Sequence, residues 1–191
     1  MRVDLAKLNG LQSSFLNIEK DTETIFKKLF IESRPYSDDL KSLLVVNAKD
    51  CLSNKVKYQD IIDKITLKDL KEKYFLTTPN IPSEEHEEAK NYIVISFDNF
   101  SPNKTNPEYR DCTIHFDILG YTEYWELEDF QLRPIKIIGY IDGILNNCKL
   151  SGIGTLNFEG CKELLVNSSF SGYTLTYRAI HGSDDKIPVK E

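Results

Sequence analysis

The sequence lacks several features that would assign a chemistry or a compartment. It has no apolar run near the roughly 20 residues that span a bilayer, and its first residues, MRVDLAKLNGLQSSFL, have no continuous apolar core like that of a signal peptide. Its four cysteines form no CxxC pair and follow no zinc-binding spacing. These gaps favour free thiols, synthesis in a reducing cytoplasm and no membrane partner.

Positive charge is also scarce. The 24 lysines and arginines are outnumbered by 30 aspartates and glutamates, which gives a formal net charge of −6. A general nucleic-acid-binding protein usually carries a basic patch or stripe, so this class is disfavoured. The hydrophobic content of 40% over 191 residues is ordinary for a soluble globular protein and is enough for one domain, or one domain with an appendage.

Motifs of the common enzyme classes are missing as well. The chain has no glycine-rich phosphate loop and no recognisable set of nucleophile, base and orienting residue. His115 and Asp117 lie on the same face of a predicted strand and could begin a metal site, but the sequence identifies no further ligands. We therefore expect no catalytic residues, no metal, no cofactor and no enzyme activity.

The patterns that are present divide the chain into four parts. Residues 1–78 have helical periodicity, and the last helix of this region begins with a capping-box pattern at Thr66 and Asp69. Residues 79–90 read as an acidic, proline-containing linker. Residues 91–182 change to the two-residue period of strands, and residues 183–191 form a polar tail.

The region 91–182 predicts an α+β fold, with one mixed or antiparallel sheet and a helix packed across it. The segment RDCTIHFDIL alternates apolar and polar residues, which predicts a strand with one buried and one wet face. A long exposed hairpin loop is expected over 98–109. Three short strands are expected near the C-terminus, in GTLNFEG, CKELLVNSSF and GYTLTYRAI.

The segment LRPIKIIGYIDGILNN predicts a helix over 132–146, with Pro134 in its first turn. Its apolar stripe should lie on the sheet and contains Pro134, Ile137, Ile138, Ile141, Ile144 and Leu145. Gly139 and Gly143 fall on the opposite face, where each costs about 1 kcal/mol relative to alanine. The close approach of another backbone, from this chain or from a neighbouring subunit, would explain them.

Candidate contact residues fall in three places. Aromatic residues anchor cores as well as interfaces, and the sequence leaves both roles open for the aromatic group formed by Tyr121, Tyr124 and Trp125. Arg133 before a proline suggests an ion pair at the end of an element, and Asp142 suggests a solvated or interface carboxylate. The candidates are Asn103 and Lys104 in the loop, Tyr121, Tyr124 and Trp125 after the second strand, and Arg133, Gly139, Asp142 and Gly143 on the helix.

This order of elements resembles the tail terminator proteins of long-tailed bacteriophages, which complete the tail and join it to the head. The segments that carry the resemblance are YIVISFDNF, CTIHFDILGYTEYW, LRPIKIIGYIDGILNN, LSGIGTLNFEG and SGYTLTYRAIHG. They cover about half the chain, within residues 91–182. The long helical region before Pro79 departs from the smaller members of that group.

The resemblance implies a structural virion protein that is assembled in the host cytoplasm. It would form a homo-oligomeric ring, commonly a hexamer, at the head-proximal end of the tail. The ring would contact the tail tube protein and the head–tail connector or stopper protein, and DNA would pass through its lumen without specific binding. Two alternatives remain: another neck or baseplate assembly protein of the same fold, and a small α+β enzyme or nucleotide-binding domain with an unrecognised site.

Overall fold

The computed structural model describes residues 10–77, 91–104, 110–150 and 154–180, and the expected acidic linker and C-terminal tail lie outside these ranges. The helices in these ranges are α1 (Gly10–Lys27, continued by a π-helical turn at Lys28–Glu32), α2 (Tyr36–Val45), α3 (Lys55–Lys64), α4 (Leu67–Asp69, continued by a π-helical turn at Leu70–Tyr74) and α5 (Arg133–Leu145). The strands are β1 (Phe75–Leu76), β2 (Asn91–Pro102), β3 (Arg110–Tyr121), β4 (Lys149–Leu150), β5 (Gly154–Leu165) and β6 (Phe170–Ile180).

The strands form one mixed sheet in the order β1-β2-β3-β6-β5-β4. Only the pair β1 and β2 is parallel within the described sheet, and every other neighbouring pair is antiparallel. Helices and strands are therefore combined as predicted, in an α+β fold with one sheet.

The two faces of the sheet differ in character across its middle. Phe116 pairs with Ile95 on one side and Leu175 on the other, so these buried side chains share a face. The next row, Ser96, His115 and Thr176, lies on the other face and is half-buried. The alternation predicted for β3 is confirmed, because the strand period places successive side chains on opposite faces.

Helix α5 packs on the apolar face, as its sequence predicts. Ile137, Ile141 and Leu145 are buried there. The Tyr177 hydroxyl donates to Asp142 Oδ1 at 2.8 Å, so a hydrogen bond also ties the helix to β6.

The N-terminal helices belong to the same hydrophobic core as the sheet. Leu29, Phe30, Leu43 and Leu44 are fully buried, and the Phe30 ring meets Phe75 edge-on at 6.0 Å between centroids. The predicted capping box at α4 is confirmed, because Asp69 N–H donates to Thr66 Oγ1 at 3.1 Å and Thr66 N–H donates to Asp69 Oδ2 at 3.0 Å.

Two expectations about the strands require correction. The exposed loop was expected to begin at Asp98, but β2 continues to Pro102 and pairs with the start of β3. A bulge between Asp98 and Ser101, with Asn99 in a left-handed conformation (φ 52°), absorbs the turn-like residues; residues 105–109 lie outside the described ranges.

The three short strands expected near the C-terminus are two long ones. Strand β5 passes through Gly160, where a shift of register between Phe158 and Gly160 marks a bulge. The glycine therefore bends a continuous strand, whereas in the sequence it resembles a turn.

Candidate assembly interface

The segment Glu126–Leu132, here called the Phe130 loop, lies between β3 and α5 in the chain and leads directly into α5. Its ends form an isolated antiparallel bridge between Glu126 and Leu132. Asp129 and Phe130 both have positive φ, 55° and 58°. The Phe130 side chain is fully exposed, at 104% of its reference area. Two consecutive non-glycine residues in the left-handed region are uncommon, and together they hold an aromatic ring in solvent.

The Phe130 loop is fixed by hydrogen bonds at its base and along its side. Leu127 N–H donates to the Gln131 carbonyl at 2.8 Å, and Glu128 N–H donates to the Lys49 carbonyl at 3.2 Å. Lys49 Nζ lies 2.9 Å from Glu126 Oε2, and the Ser53 hydroxyl donates to the Glu128 carboxylate. These bonds join the loop to the segment that connects α2 and α3, so the exposed ring stands on a supported base.

Arg133, which begins α5, is fully buried. Nε donates to the Tyr124 carbonyl at 2.8 Å, Nη1 to the carbonyls of Leu43 and Val46 at 2.5 and 2.9 Å, and Nη2 to the Ala48 carbonyl at 2.8 Å. Among the described residues no carboxylate pairs with it. The prediction of an ion pair at the helix end is wrong, and so is the prediction that Arg133 meets a partner directly.

The C-terminus of α2 explains how this charge is tolerated. The final carbonyls of a helix lack intrahelical partners and carry a partial negative charge, which favours a nearby cation. Burial still lowers the pKa of Arg133 from its ordinary value. The guanidinium therefore links α2, the Tyr124 segment and α5 beneath the Phe130 loop.

A groove runs along the outer face of α5. It has a volume of about 380 Å³ and is lined by Tyr36, Ile135, Lys136, Gly139, Tyr140 and Gly143. The rings of Tyr36 and Tyr140 are 5.9 Å apart, and the Tyr140 hydroxyl donates to Asp39 Oδ2 at 2.8 Å. A Cβ added at Gly139 or Gly143 would have no described atom within 4 Å. Among the described residues no atom approaches these two Cβ positions, so close contact with a neighbouring subunit at these glycines stays a prediction.

The YomW family model matches residues 37–179, from the start of α2 to the end of β6. The chain belongs to the YomW family. This family is phage-derived, of the SPβ-like prophage type. No curated protein matches the chain.

The aromatic group of this YomW-family chain is partly used inside the subunit. Trp125 Nε1 donates to the Gly120 carbonyl at 3.1 Å, and its ring stacks on Tyr173 at 6.3 Å between centroids. Tyr121 contacts the rings of both Tyr124 and Phe170. All three predicted residues, Tyr121, Tyr124 and Trp125, remain half-buried. Their packing roles are clear, and their predicted contact with a partner stays a prediction.

The other predicted contact residues have different surroundings. Asn103 is buried in the single subunit and its amide donates to Asp111 Oδ1 at 2.8 Å, and its predicted contact with a partner stays a prediction. Its neighbour Lys104 is exposed. Asp142 is half-buried and accepts the Tyr177 hydroxyl, so this carboxylate holds α5 on the sheet.

The polar face of the sheet carries a row of hydrogen-bonded side chains. His115 Nδ1 lies 3.1 Å from Thr176 Oγ1, and His115 Nε2 lies 3.1 Å from Asp98 Oδ2. Asp117 accepts instead from the Thr174 hydroxyl at 2.6 Å. His115 and Asp117 therefore have separate partners, and the described ranges contain no group of three or more His, Cys, Asp and Glu residues placed to hold a metal ion.

Three of the cysteines, Cys51, Cys112 and Cys161, have a raised pKa, and none of these three is an activated thiol. Burial raises the pKa of Cys112 to about 12 and also raises the pKa of Cys51 and Cys161 above the ordinary value. A nucleophilic cysteine needs a lowered pKa, because the thiolate is the reactive form. These three thiols are consequently poor nucleophiles at neutral pH. In addition, none of the described helices is long and apolar enough to cross a membrane.

The sequence did not single out Phe130, which is exposed, or the groove-lining residues Tyr36, Ile135 and Tyr140. An apolar residue that follows two acidic residues, as in EDFQL, is common in loops, and only the left-handed backbone of Asp129 and Phe130 turns it outward. The glycines of α5 were the available signal for the groove, since their cost on an exposed helix face is otherwise unexplained.

Proposed function

We propose that this YomW-family chain is a non-enzymatic structural virion protein that forms a ring at the head-proximal end of a phage tail. The ring terminates the tail tube and joins it to the head connector, and the protein resides at the tail–head junction. The phage-derived family supports the phage context. The similarity of element order to tail terminator proteins supports the position in the particle.

The observation that carries the self-assembly part of the proposal is the outer edge of β5. Strand β4 pairs with Gly154 and Thr155, and the residues just before it, 146–148, hydrogen-bond to Leu156 and Phe158. The described residues provide no further strand along that edge. Beyond these contacts β5 continues to Leu165, whose side chain is 78% exposed. Phe158, on the same strand, is 47% exposed. A long edge strand with exposed apolar residues invites pairing with another chain.

A closed ring is the form of assembly that limits this association. When one face of a subunit meets a different face of the next, rotation closes the array at a fixed number of copies. The edge is then covered without growth into an open filament. The net charge of −6 suits a lumen for DNA, since neutralising phosphates requires many lysines or arginines.

The experiment that tests the proposal measures the mass of the full-length protein in solution, with negative-stain microscopy of the same sample. We expect annular particles whose mass is a multiple of the 22.0 kDa chain. Leu165→Lys should weaken assembly because it places a charge on the free edge, whereas Val56→Lys on α3 should leave it unchanged. A protein that stays at 22.0 kDa, alone and with tail tube protein, would refute the ring.

A further inference from the structure

We propose that Phe130 of one copy inserts into the α5 groove of a second copy, and that this contact joins the subunits. The inference rests on the self-assembly part of the proposed function and specifies which surfaces meet. Each copy offers both partners of the contact, the exposed Phe130 ring and the groove lined by Tyr36, Ile135 and Tyr140.

Phe130 has the properties of an interface anchor. Its ring contributes a large apolar area that is fully in solvent in the single subunit. The Phe130 loop is held by the Lys49–Glu126 and Ser53–Glu128 contacts, so little conformational freedom remains to be lost on binding. Exposed rings presented in this way bind by filling a pocket on the partner, where burial of the aromatic side chain supplies the affinity.

The α5 groove has a matching size and lining. Its volume is about 380 Å³, and a cavity of roughly 150 Å³ is enough to admit a benzene molecule. Tyr36 and Tyr140 form an aromatic wall, Ile135 is 45% exposed beside it, and the two glycines leave its floor open. Tyr140 is fixed by its bond to Asp39, so the wall exists before a ring enters.

The charges beside the two surfaces are complementary. Asp129 directly precedes Phe130 at the tip of the loop, and Lys136 lines the groove. Neither of these two side chains has an ion-pair partner among the described residues. Insertion of Phe130 would bring the Asp129 carboxylate of one copy toward the Lys136 ammonium of the other, which favours a second copy of this chain as the occupant.

The two glycines allow a test in which stability and assembly change in opposite directions. Alanine at Gly139 or Gly143 meets no atom within 4 Å and improves helix propensity, so each variant should raise the melting temperature of the single subunit. The added methyl groups would fill the floor of the groove. We therefore expect Gly139→Ala and Gly143→Ala to weaken self-association, and Gly139→Leu to abolish it.

The loop side is tested by Phe130→Asp, with Val56→Asp as the matched control. Val56 is also an exposed apolar residue, at 89%, and it lies on α3, outside the Phe130 loop and outside the residues that line the groove. In sedimentation at equal protein concentration, the assembled fraction should fall at least tenfold for Phe130→Asp. It should stay unchanged for Val56→Asp. Equal assembly of both variants would overturn the inference, because Phe130 would then lie outside the contact.

Cross-linking identifies the partner surface directly. In a background with Cys148 and Cys161 replaced by serine, Asp129→Cys and Lys136→Cys are combined in one chain and treated with a short bismaleimide. We expect the Asp129→Cys to Lys136→Cys cross-link, identified by mass spectrometry, in denaturing-gel bands above the monomer mass, because a cross-link within one copy would leave the product at the monomer mass. Assembled protein without this cross-link would refute the contact, even if rings are present.

The same cross-linked sample separates this inference from the proposed function. A ladder of products that ends at a closed ring supports both. A ladder that stops at the dimer, with the expected cross-link, supports the Phe130 contact and refutes the ring. Rings in which Phe130→Asp has no effect support the proposed function and refute this inference.

Discussion

At the scale of single residues, Arg133 decides how three segments of the chain meet. A charge without a carboxylate partner is costly to bury, and here the cost is offset by four carbonyl acceptors arranged around one planar guanidinium. Three of these carbonyls belong to residues 43–48, at and beyond the end of α2. Arg133 therefore supports the fold and the base of the Phe130 loop, and it does not form a contact surface.

Replacement of Arg133 by lysine should be severely destabilising, although the charge is kept. One ammonium group cannot reach acceptors in two separate segments, so buried carbonyls lose their donors, and we expect a loss of about 2–4 kcal/mol in the free energy of unfolding. Urea denaturation measures this change. Arg178→Lys is the control, because the Arg178 side chain is about half exposed and a lysine keeps the charge beside Asp111, so the change there should stay below about 1 kcal/mol.

Asp69 provides a pH-dependent contribution at the start of α4. Hydrogen bonds from Thr66 lower the pKa of this carboxylate below its ordinary value of 3.8. Because the folded state holds the ionised form more tightly, the contribution is complete above that value and is lost as the pH falls through the lowered pKa. The melting-temperature difference between the native chain and Asp69→Ala should be constant from neutral to mildly acidic pH and shrink below 3.8.

A matched variant at Asp60 separates this effect from general acid destabilisation. Asp60 is exposed on α3, and Asp60→Ala should melt close to the native chain at every pH. If the difference for Asp69→Ala were the same at low and neutral pH, the capping bonds would not be the source of the effect.

At the scale of elements, the sheet depends on one close approach between strands. Gly172 of β6 lies opposite Leu119 of β3, and a Cβ at this position would be only 1.7 Å from the Ile118 carbonyl oxygen. That oxygen belongs to the backbone of the central strand and cannot move independently. The strands must separate locally to admit any side chain at this position.

We therefore expect Gly172→Ala to lower the free energy of unfolding by about 1–3 kcal/mol or more, because the added side chain overpacks the space between the strands. Gly160→Ala is the control within the same sheet, since an added Cβ there has no described atom within 4 Å. Thermal unfolding of both variants checks the difference. Similar stabilities would mean that the spacing of β3 and β6 adjusts without penalty.

The elements show which parts of the fold could be predicted and which could not. The alternation in β3, the α5 stripe and the Thr66–Asp69 cap are local patterns, and all three are confirmed. The bulges in β2 and β5 were missed because Asn99 and Gly160 have the same local signature in a turn and in a bulged strand. The acceptors of Arg133 lie 85 or more residues away for all but Tyr124, beyond the reach of any periodicity.

The candidate contact surface was predictable to a similar extent. Gly139 and Gly143 meet no close neighbour among the described residues, and their predicted contact with another backbone stays a prediction. The Phe130 loop was not predictable, because its outward ring depends on two left-handed residues and on bonds to Lys49 and Ser53 from a distant segment. The local sequence identifies an unusual face of α5. Only the folded chain shows that the Phe130 aromatic side chain is exposed and that its size suits the α5 groove.

At the scale of the whole molecule, the surfaces that we propose as contacts lie on different parts of one subunit. The β5 edge lies at one side of the sheet, and the Phe130 loop and the α5 groove lie at and along α5. A subunit with several unsatisfied surfaces gains most from an assembly in which each is covered by a neighbour. In the function that we propose, such an assembly would end the tail tube and attach it to the head connector.

Deletion of the gene from a phage that carries it should therefore show whether heads and tails can still join without this protein. If the ring terminates the tube and joins it to the head, its loss should leave DNA-filled heads and free tails of irregular or excessive length, seen by electron microscopy of lysates. Restoring the native gene should restore joined particles. Tails of normal length on joined particles that fail only during infection would refute the terminator role. That outcome would instead favour a baseplate or accessory component, because the defect would arise after the head and tail had already met.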